Sequence, residues 1–243
     1  MEVALLTVGD ELLDGDTVNT NATWLARELT ERGVTVARVL VVPDDRAVIA
    51  ETVREWGETY DAVIVTGGLG GTHDDVTMDA VAEAFGRQLV AEDEVIEDVV
   101  AHAAAFRDEN PELVSKYDLD LDVEAWARTP EGSRPLLNGP GLSPGCVVGN
   151  VYVLPGIPEE MEAMFESVAE EFAGEAVSET IETGAPEGAL LDLIAEARAT
   201  YDVVVGSYPS RTAPNRIKVT GTDPDEVTAA ADWLADRVSA LAD

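Results

Sequence analysis

The stretch that most constrains the fold runs from Tyr60 to Asp75, YDAVIVTGGLGGTHDD. Its centre, Ala62-Val63-Ile64-Val65, is an unbroken apolar run, the pattern of a strand buried on both faces of a parallel sheet, so residues 60–66 are predicted to form a central strand. Gly67, Gly68, Leu69, Gly70 and Gly71 follow, leaving backbone N–H groups free to turn toward an anion. Thr72, Asp74 and Asp75 then lead into a helix expected from about Val76. Strand, glycine turn and helix N-terminus in this order can cradle phosphate. The loop also carries a conflict, because Asp74 and Asp75 repel a polyphosphate that the amides attract. A divalent cation resolves it by taking carboxylate and phosphate oxygens together. On a plainer reading, one aspartate only caps the helix and the glycines only tighten the turn.

Two further apolar runs end in acids. Residues 3–8, VALLTV, lead to Gly9-Asp10-Glu11, and residues 34–42 lead to Pro43-Asp44-Asp45. Right-handed crossovers place such loops on one carboxyl edge of an open α/β sheet, where ligands bind. Asn19, Thr20 and Asn21 read as helix caps or as polar ligands to a small molecule. The helical stripe from Ala22 stops at Gly33, a C-cap glycine. Ala47, Ile49, Ala50, Val53 and Trp56 form the buried face of a second helix, residues 76–85 a third ending at Gly86, and residues 92–106 a fourth with Val95, Val99, Ala103 and Phe106 inward. His102 on that helix reads as a surface or packing histidine. His73 lies inside the glycine loop, where it either assists chemistry or only orients the turn. Residues 109–133 are weakly patterned around Trp126 and read equally as a helical excursion or a lid.

Residues 138–145, NGPGLSPG, form a turning loop before a strand at 147–154. In Pro155-Gly156-Ile157-Pro158, Pro158 suits a first helical turn and Gly156 allows close backbone approach, giving either a second anion-holding helix N-terminus or an ordinary turn. Beyond Gly174 the pattern changes to strand, helix, strand, strand, helix over 177–183, 190–199, 203–208, 216–222 and 227–241. The expected division is therefore a nucleotide-binding α/β domain over residues 1–173 and a small α+β subdomain over 174–243. Arg211, Arg216 and Lys218 make a basic patch in the latter, suited to pairing with acids or with a partner subunit.

Net charge separates function classes. Asp and Glu number 49 against 15 Lys and Arg, giving –34 at pH 7 over 243 residues. Acids spread over whole helix faces fit a cytoplasm of multimolar salt, where the Debye length falls to about 3 Å and self-repulsion is screened. The same charge disfavours nucleic acid and anionic membrane as partners. One cysteine, Cys146, rules out an internal disulfide and a Cys-rich zinc site. With no apolar run of spanning length and no signal-like opening, a cytoplasmic protein is expected.

Four segments, VGDELLDGDTVNTNATWLA, VPDDR, TGGLGGTHDDVT and LPGIPEEM, together resemble the amino-terminal part of the competence and damage-inducible protein A (CinA) family. The resemblance implies a three-layer α/β fold with a mostly parallel sheet, of the molybdopterin-binding type shared with MoaB and Mog, followed by a KH-like subdomain. It implies oligomers, dimers or trimers. The family's carboxyl-terminal amidohydrolase domain has no counterpart in these residues, so no deamidation is implied. Acids in positions resembling Asp44 and Asp75 are the functional ones in relatives. Gly71 replaces the family's usual proline, which is expected to loosen the loop, and Leu142-Ser143 replaces a usual threonine and alanine.

The activity so implied is metal-dependent hydrolysis of a nucleoside diphosphate linkage, with ADP-ribose as substrate. Gly67, Gly68, Leu69, Gly70, Gly71 and Thr72, with Asn21 and Gly156, would hold the phosphates. Asp44, Asp74 and Asp75 would bind Mg²⁺ or another divalent cation, and Asp44, Asp75 and Asp10 would act in catalysis, with Asp45, Glu11 or His73 as alternatives for the general base. Two rivals share the fold: binding or adenylation of molybdopterin at the same site, and a non-catalytic nucleotide-binding module that partners a separate amidase.

Overall fold

The computed structural model describes residues 1–117 and 122–241. The chain divides into two compact units, Met1–Ala173 and Gly174–Asp243. The first unit runs β1 Glu2–Val8, α1 Asp10–Leu13, α2 Thr20–Glu31, β2 Thr35–Val42, α3 Arg46–Thr59, β3 Ala62–Thr66, α4 Thr77–Ala84, β4 Leu89–Ala91 and α5 Asp93–Glu109. It continues α6 Pro111–Tyr117, α7 Val123–Trp126, β5 Arg128–Pro130, β6 Arg134–Leu136, β7 Gly145–Val148, β8 Val151–Leu154 and α8 Pro158–Glu166.

Its main sheet has the order β2-β1-β3-β8-β7-β6, with β2, β1, β3 and β8 parallel. The apolar run of β3 is buried throughout because both faces are covered. Strand side chains alternate between faces, and Val3, Leu5, Ala62 and Ile64 pack with Leu25 and Leu29 of α2 and Phe165 of α8. Ala4, Leu6, Val63 and Val65 pack on the other side with Ile49, Val53 and Trp56 of α3 and with Val81 of α4. The result is a three-layer α/β unit with a mostly parallel sheet. Parallelism matters for function, since it brings the loops after β2, β1, β3 and β8 to one edge.

Three expectations are corrected here. Residues 147–154 are not one strand: Gly149, at φ 61°, turns the chain back into the antiparallel pair β7–β8, and Asn150 Nδ2 secures the turn on the Gly57 and Tyr60 carbonyls. Ala47 is exposed, on the solvent side of α3. Phe106 is 42% exposed, because α5 buries only Val95, Val99 and Ala103. The excursion at 109–133 holds α6, α7 and β5, and residues 118–121 lie outside the described residues.

The second unit is β9 Val177–Thr183, α9 Glu187–Thr200, β10 Val204–Tyr208, β11 Asn215–Gly221 and α10 Pro224–Ser239. Its antiparallel sheet, ordered β10-β11-β9, closes over a core that includes Leu190, Ile217, Val219 and Leu234. In register, Arg216 stands opposite Glu182 and Lys218 opposite Thr180. Among the described residues no helix is long and apolar enough to cross a membrane.

Candidate functional site

The floor of the site is where the ends of β1, β3 and β8 meet. Gly67, at φ 98°, donates its N–H to Leu154 O at 3.2 Å and passes so close to β1 that a Cβ would overlap the Val8 carbonyl oxygen. Gly156 approaches within 3.3 Å of Gly67 Cα, measured from the point where its own Cβ would stand. Only glycine fits the left-handed conformation and the close contact together. Gly67 is therefore a structural hinge whose amide is already used, rather than a phosphate donor. The amides of Gly68, Leu69 and Gly70 form no hydrogen bond among the described residues, and all three residues line a cavity of about 860 Å³. That volume suits a nucleotide-sized or pterin-sized ligand.

The aspartates divide their work. Asp75 Oδ2 accepts from Thr72 N at 2.8 Å and lies 2.6 Å from Thr72 Oγ1, while Asp74 Oδ1 lies 2.5 Å from the same hydroxyl. Neither caps α4, whose N-cap is Val76 without a side-chain bond. The two carboxylates thus hold the glycine loop in shape. The hydrogen bond from Thr72, then that from its own amide, keeps the Asp74 carboxyl below its ordinary range. Thr72 and Gly71 do not line the cavity, and the expectation that they hold phosphate is revised accordingly. Gly71 is not a loosening substitution either. The Trp126 indole lies over it, and a Cβ at that position would overlap the ring.

Asp44, at the end of β2, does line the cavity, and its Oδ2 accepts from the Asp10 amide at 2.9 Å. Burial, followed by repulsion from Asp10, Glu11 and Asp74, raises its pKa against the opposing effect of that hydrogen bond. Asp10 contributes its backbone, and its side chain does not line the cavity. Asp45 caps α3 through Ala47 N and Val48 N, and His73 is 98% exposed outside the cavity, so neither is placed as a general base. Asn19 caps α2, while Asn21, two positions on, is 7% exposed and donates to Gly156 O at 2.8 Å. Cys146 is no nucleophile: burial pushes its thiol up to about 12.

Several cavity residues have no site role in the sequence reading: Phe106, Glu109, Trp126 and Glu160, the last lying within LPGIPEEM. His102 is another. Both of its ring nitrogens face carbonyl oxygens at 2.9 Å, Nδ1 toward Asp98 and Nε2 toward Gly139. Only an imidazolium can donate to both. Burial lowers the His102 pKa, but the two carbonyls and the Asp98 carboxylate outweigh it and raise the pKa overall.

No lysine or arginine lines the cavity among the described residues, although Glu11, Asp44, Asp74, Asp75, Glu109 and Glu160 do. Among those residues, no three His, Cys, Asp or Glu side chains converge to hold a metal unaided. The donor set fits a cation of the Mg²⁺ type, which needs only one or two protein carboxylates when ligand phosphates and water complete its shell. Asp44, with Asp74 near enough to act on its charge, is where such an ion would be held, while Asp75, the third carboxylate expected to bind it, is turned onto Thr72.

The first unit matches, over residues 4–174, the family described as "Probable molybdopterin binding domain". A relative from Archaeoglobus fulgidus is 39% identical over 229 residues, spanning 93% of each chain. A CinA-like protein from Frankia casuarinae is 43% identical over 169 residues, 68% of this chain but 38% of that protein's own length. The crystal structure of the protein CinA from Thermoplasma acidophilum superposes with a TM-score of 0.59 at 34% identity, covering 70% of this chain and 97% of that one. The family match over most of the chain shows that it belongs to the molybdopterin-binding domain family, with CinA-like proteins among its relatives.

Proposed function

We propose that the cavity binds a phosphorylated pterin of the molybdopterin class together with a divalent cation. The observation that carries this reading is the pairing of three unused amides, Gly68, Leu69 and Gly70, with acids and no lysine or arginine among the described residues of one cavity, whose His102 is turned onto the Asp98 and Gly139 carbonyls. Amides aimed at an anion supply partial positive charge, but two phosphate charges beside Asp44 and Asp74 need a full counter-charge. A cation entering with the ligand provides it. The matched family's description supports the pterin over the nucleotide-hydrolase reading that the motifs first favoured. The test is calorimetric titration with molybdopterin and Mg²⁺ at high salt, where saturable binding is expected and its absence would overturn the reading.

Hydrolysis of a nucleoside diphosphate such as ADP-ribose is the second reading, and the placement of Asp44 in the cavity beside Gly68 favours it, because a cation held there would sit next to phosphates on the glycine loop. The cation would neutralise charge on the phosphates. Incubation with ADP-ribose and Mg²⁺ at high salt should then release AMP and ribose phosphate. Asp44→Asn should stop that release while leaving the circular dichroism spectrum unchanged. Substrate that stays intact rules this reading out.

A further inference from the structure

The cavity has a second polar end, away from Asp44, at the first turn of α8. Along the sheet edge the order β2-β1-β3-β8 places Asp44 after the first strand, the glycine loop after the third and Gly156 after the fourth. Three strand spacings separate the ends of β2 and β8 by about 14 Å, the span of a bicyclic ring plus its phosphate arm. Beyond Gly156, in the first turn of α8, stands Glu160.

Glu160 is half-buried and lines the cavity. Its Oε2 accepts from Asn138 Nδ2 at 2.6 Å, and its carboxylate lies flat against Gly141, where a Cβ would overlap it. Asn138 is 1% exposed and also donates to Ser143 O at 2.8 Å, so the glutamate is held by a buried side chain that is itself anchored. Oε1 has no hydrogen-bond donor among the described residues. Asn21, more than nine-tenths buried in the same cavity, has already spent its amide N–H on Gly156, which leaves Oδ1 without a partner.

A carboxylate in the cavity wall with one oxygen that receives no hydrogen bond asks for N–H groups. Resting on the phosphorylated-heterocycle reading above, we propose that Glu160 is the specificity-determining residue, accepting two adjacent N–H groups from the heterocycle. The edge it reads is the amide N–H and exocyclic amino pair found in pterins and in guanine. Adenine presents a donor beside an acceptor, and the ring nitrogen lone pair would face the carboxylate. The site therefore selects pterin and guanine over adenine, while Asn138 acts as the positioning residue.

The test is calorimetry of the full chain with Mg²⁺ in molar KCl, using neopterin monophosphate, GMP, IMP and AMP. Neopterin monophosphate and GMP should bind roughly ten- to a hundredfold tighter than AMP, the range set by hydrogen bonds to a charged acceptor. IMP, which lacks the amino group, should fall between. Glu160→Gln keeps an oxygen for Asn138 but turns an amide toward the ligand, and it should erase the preference by weakening GMP and neopterin monophosphate. Glu160→Asp, with the carboxylate withdrawn by one methylene, should reduce it. Equal affinity for GMP and AMP in the unaltered chain overturns the inference, as does a preference that survives Glu160→Gln; both leave phosphate binding intact. Failure of all four probes to bind refutes the underlying reading as well.

Discussion

Gly67→Ala tests whether the three strand ends converge as described. The substitution has two separable costs. Holding alanine at φ 98° costs about 1–2 kcal/mol. The new methyl would also displace the Val8 carbonyl, which belongs to a strand paired on both sides, and overpacking of this kind costs about 1–3 kcal/mol. The sum, about 2–5 kcal/mol, corresponds to a fall in Tm of about 5–15 °C for a unit of this size. Gly15→Ala is the internal control. Gly15 also has positive φ, 79°, but its Cβ would meet nothing within 4 Å. Only the conformational cost remains, partly offset by the stiffer unfolded chain, so a fall of about 2–4 °C is expected. Thermal unfolding followed by circular dichroism in molar KCl measures both. If the two variants melt together, Gly67 is not wedged between β1 and β8, and the floor of the cavity has been misdrawn.

Asp44→Asn should lower Mg²⁺-dependent ligand affinity about tenfold or more while raising the Tm of the ligand-free protein. The raised Asp44 pKa means that its stabilising contribution is complete only below about 3.8 and is lost as pH rises through the folded value, so removing the charge at neutral pH relieves a cost. A lower Tm for that variant would contradict the assignment. His102 has the same sign in another window: its contribution is full below about 6.5 and lost as pH rises through its raised folded value. Urea midpoints of the unaltered chain should therefore drop between pH 6 and 8 more than those of His102→Gln, and equal drops would dismiss the clamp on Gly139. With a net charge of –34, dialysis from molar KCl to low salt should reduce far-UV ellipticity, and an unchanged spectrum would remove the halophilic reading.

The parallel strands were legible because burial on both faces leaves a continuous apolar run, as at Ala62–Val65, and because three such runs end in acids. The β7–β8 hairpin was not, although Gly149-Asn150 is a turn signal; the apolar residues on either side outweighed it. Phe106 keeps the helical period of Val95, Val99 and Ala103, yet it lies on the part of α5 that borders the cavity, so periodicity alone placed it inward. The acids were found as a group and could not be sorted from sequence. Whether Asp10 offers a carboxylate or an amide, and whether Asp75 meets a ligand or Thr72, depends on loop conformations that no local pattern encodes. The site roles of Glu160, Trp126 and His102 gave no local signal, because their partners Asn138, Gly71 and Gly139 are 22, 55 and 37 positions away.

A cavity that combines free amides with carboxylates, has no lysine or arginine among its described residues and has both His102 nitrogens turned onto carbonyls should accept phosphate only alongside a cation. Isothermal titration of neopterin monophosphate in molar KCl, once with Mg²⁺ and once with excess EDTA, measures this directly. Saturable binding with Mg²⁺ and none in EDTA is expected. Equal affinity in the two conditions would contradict the site.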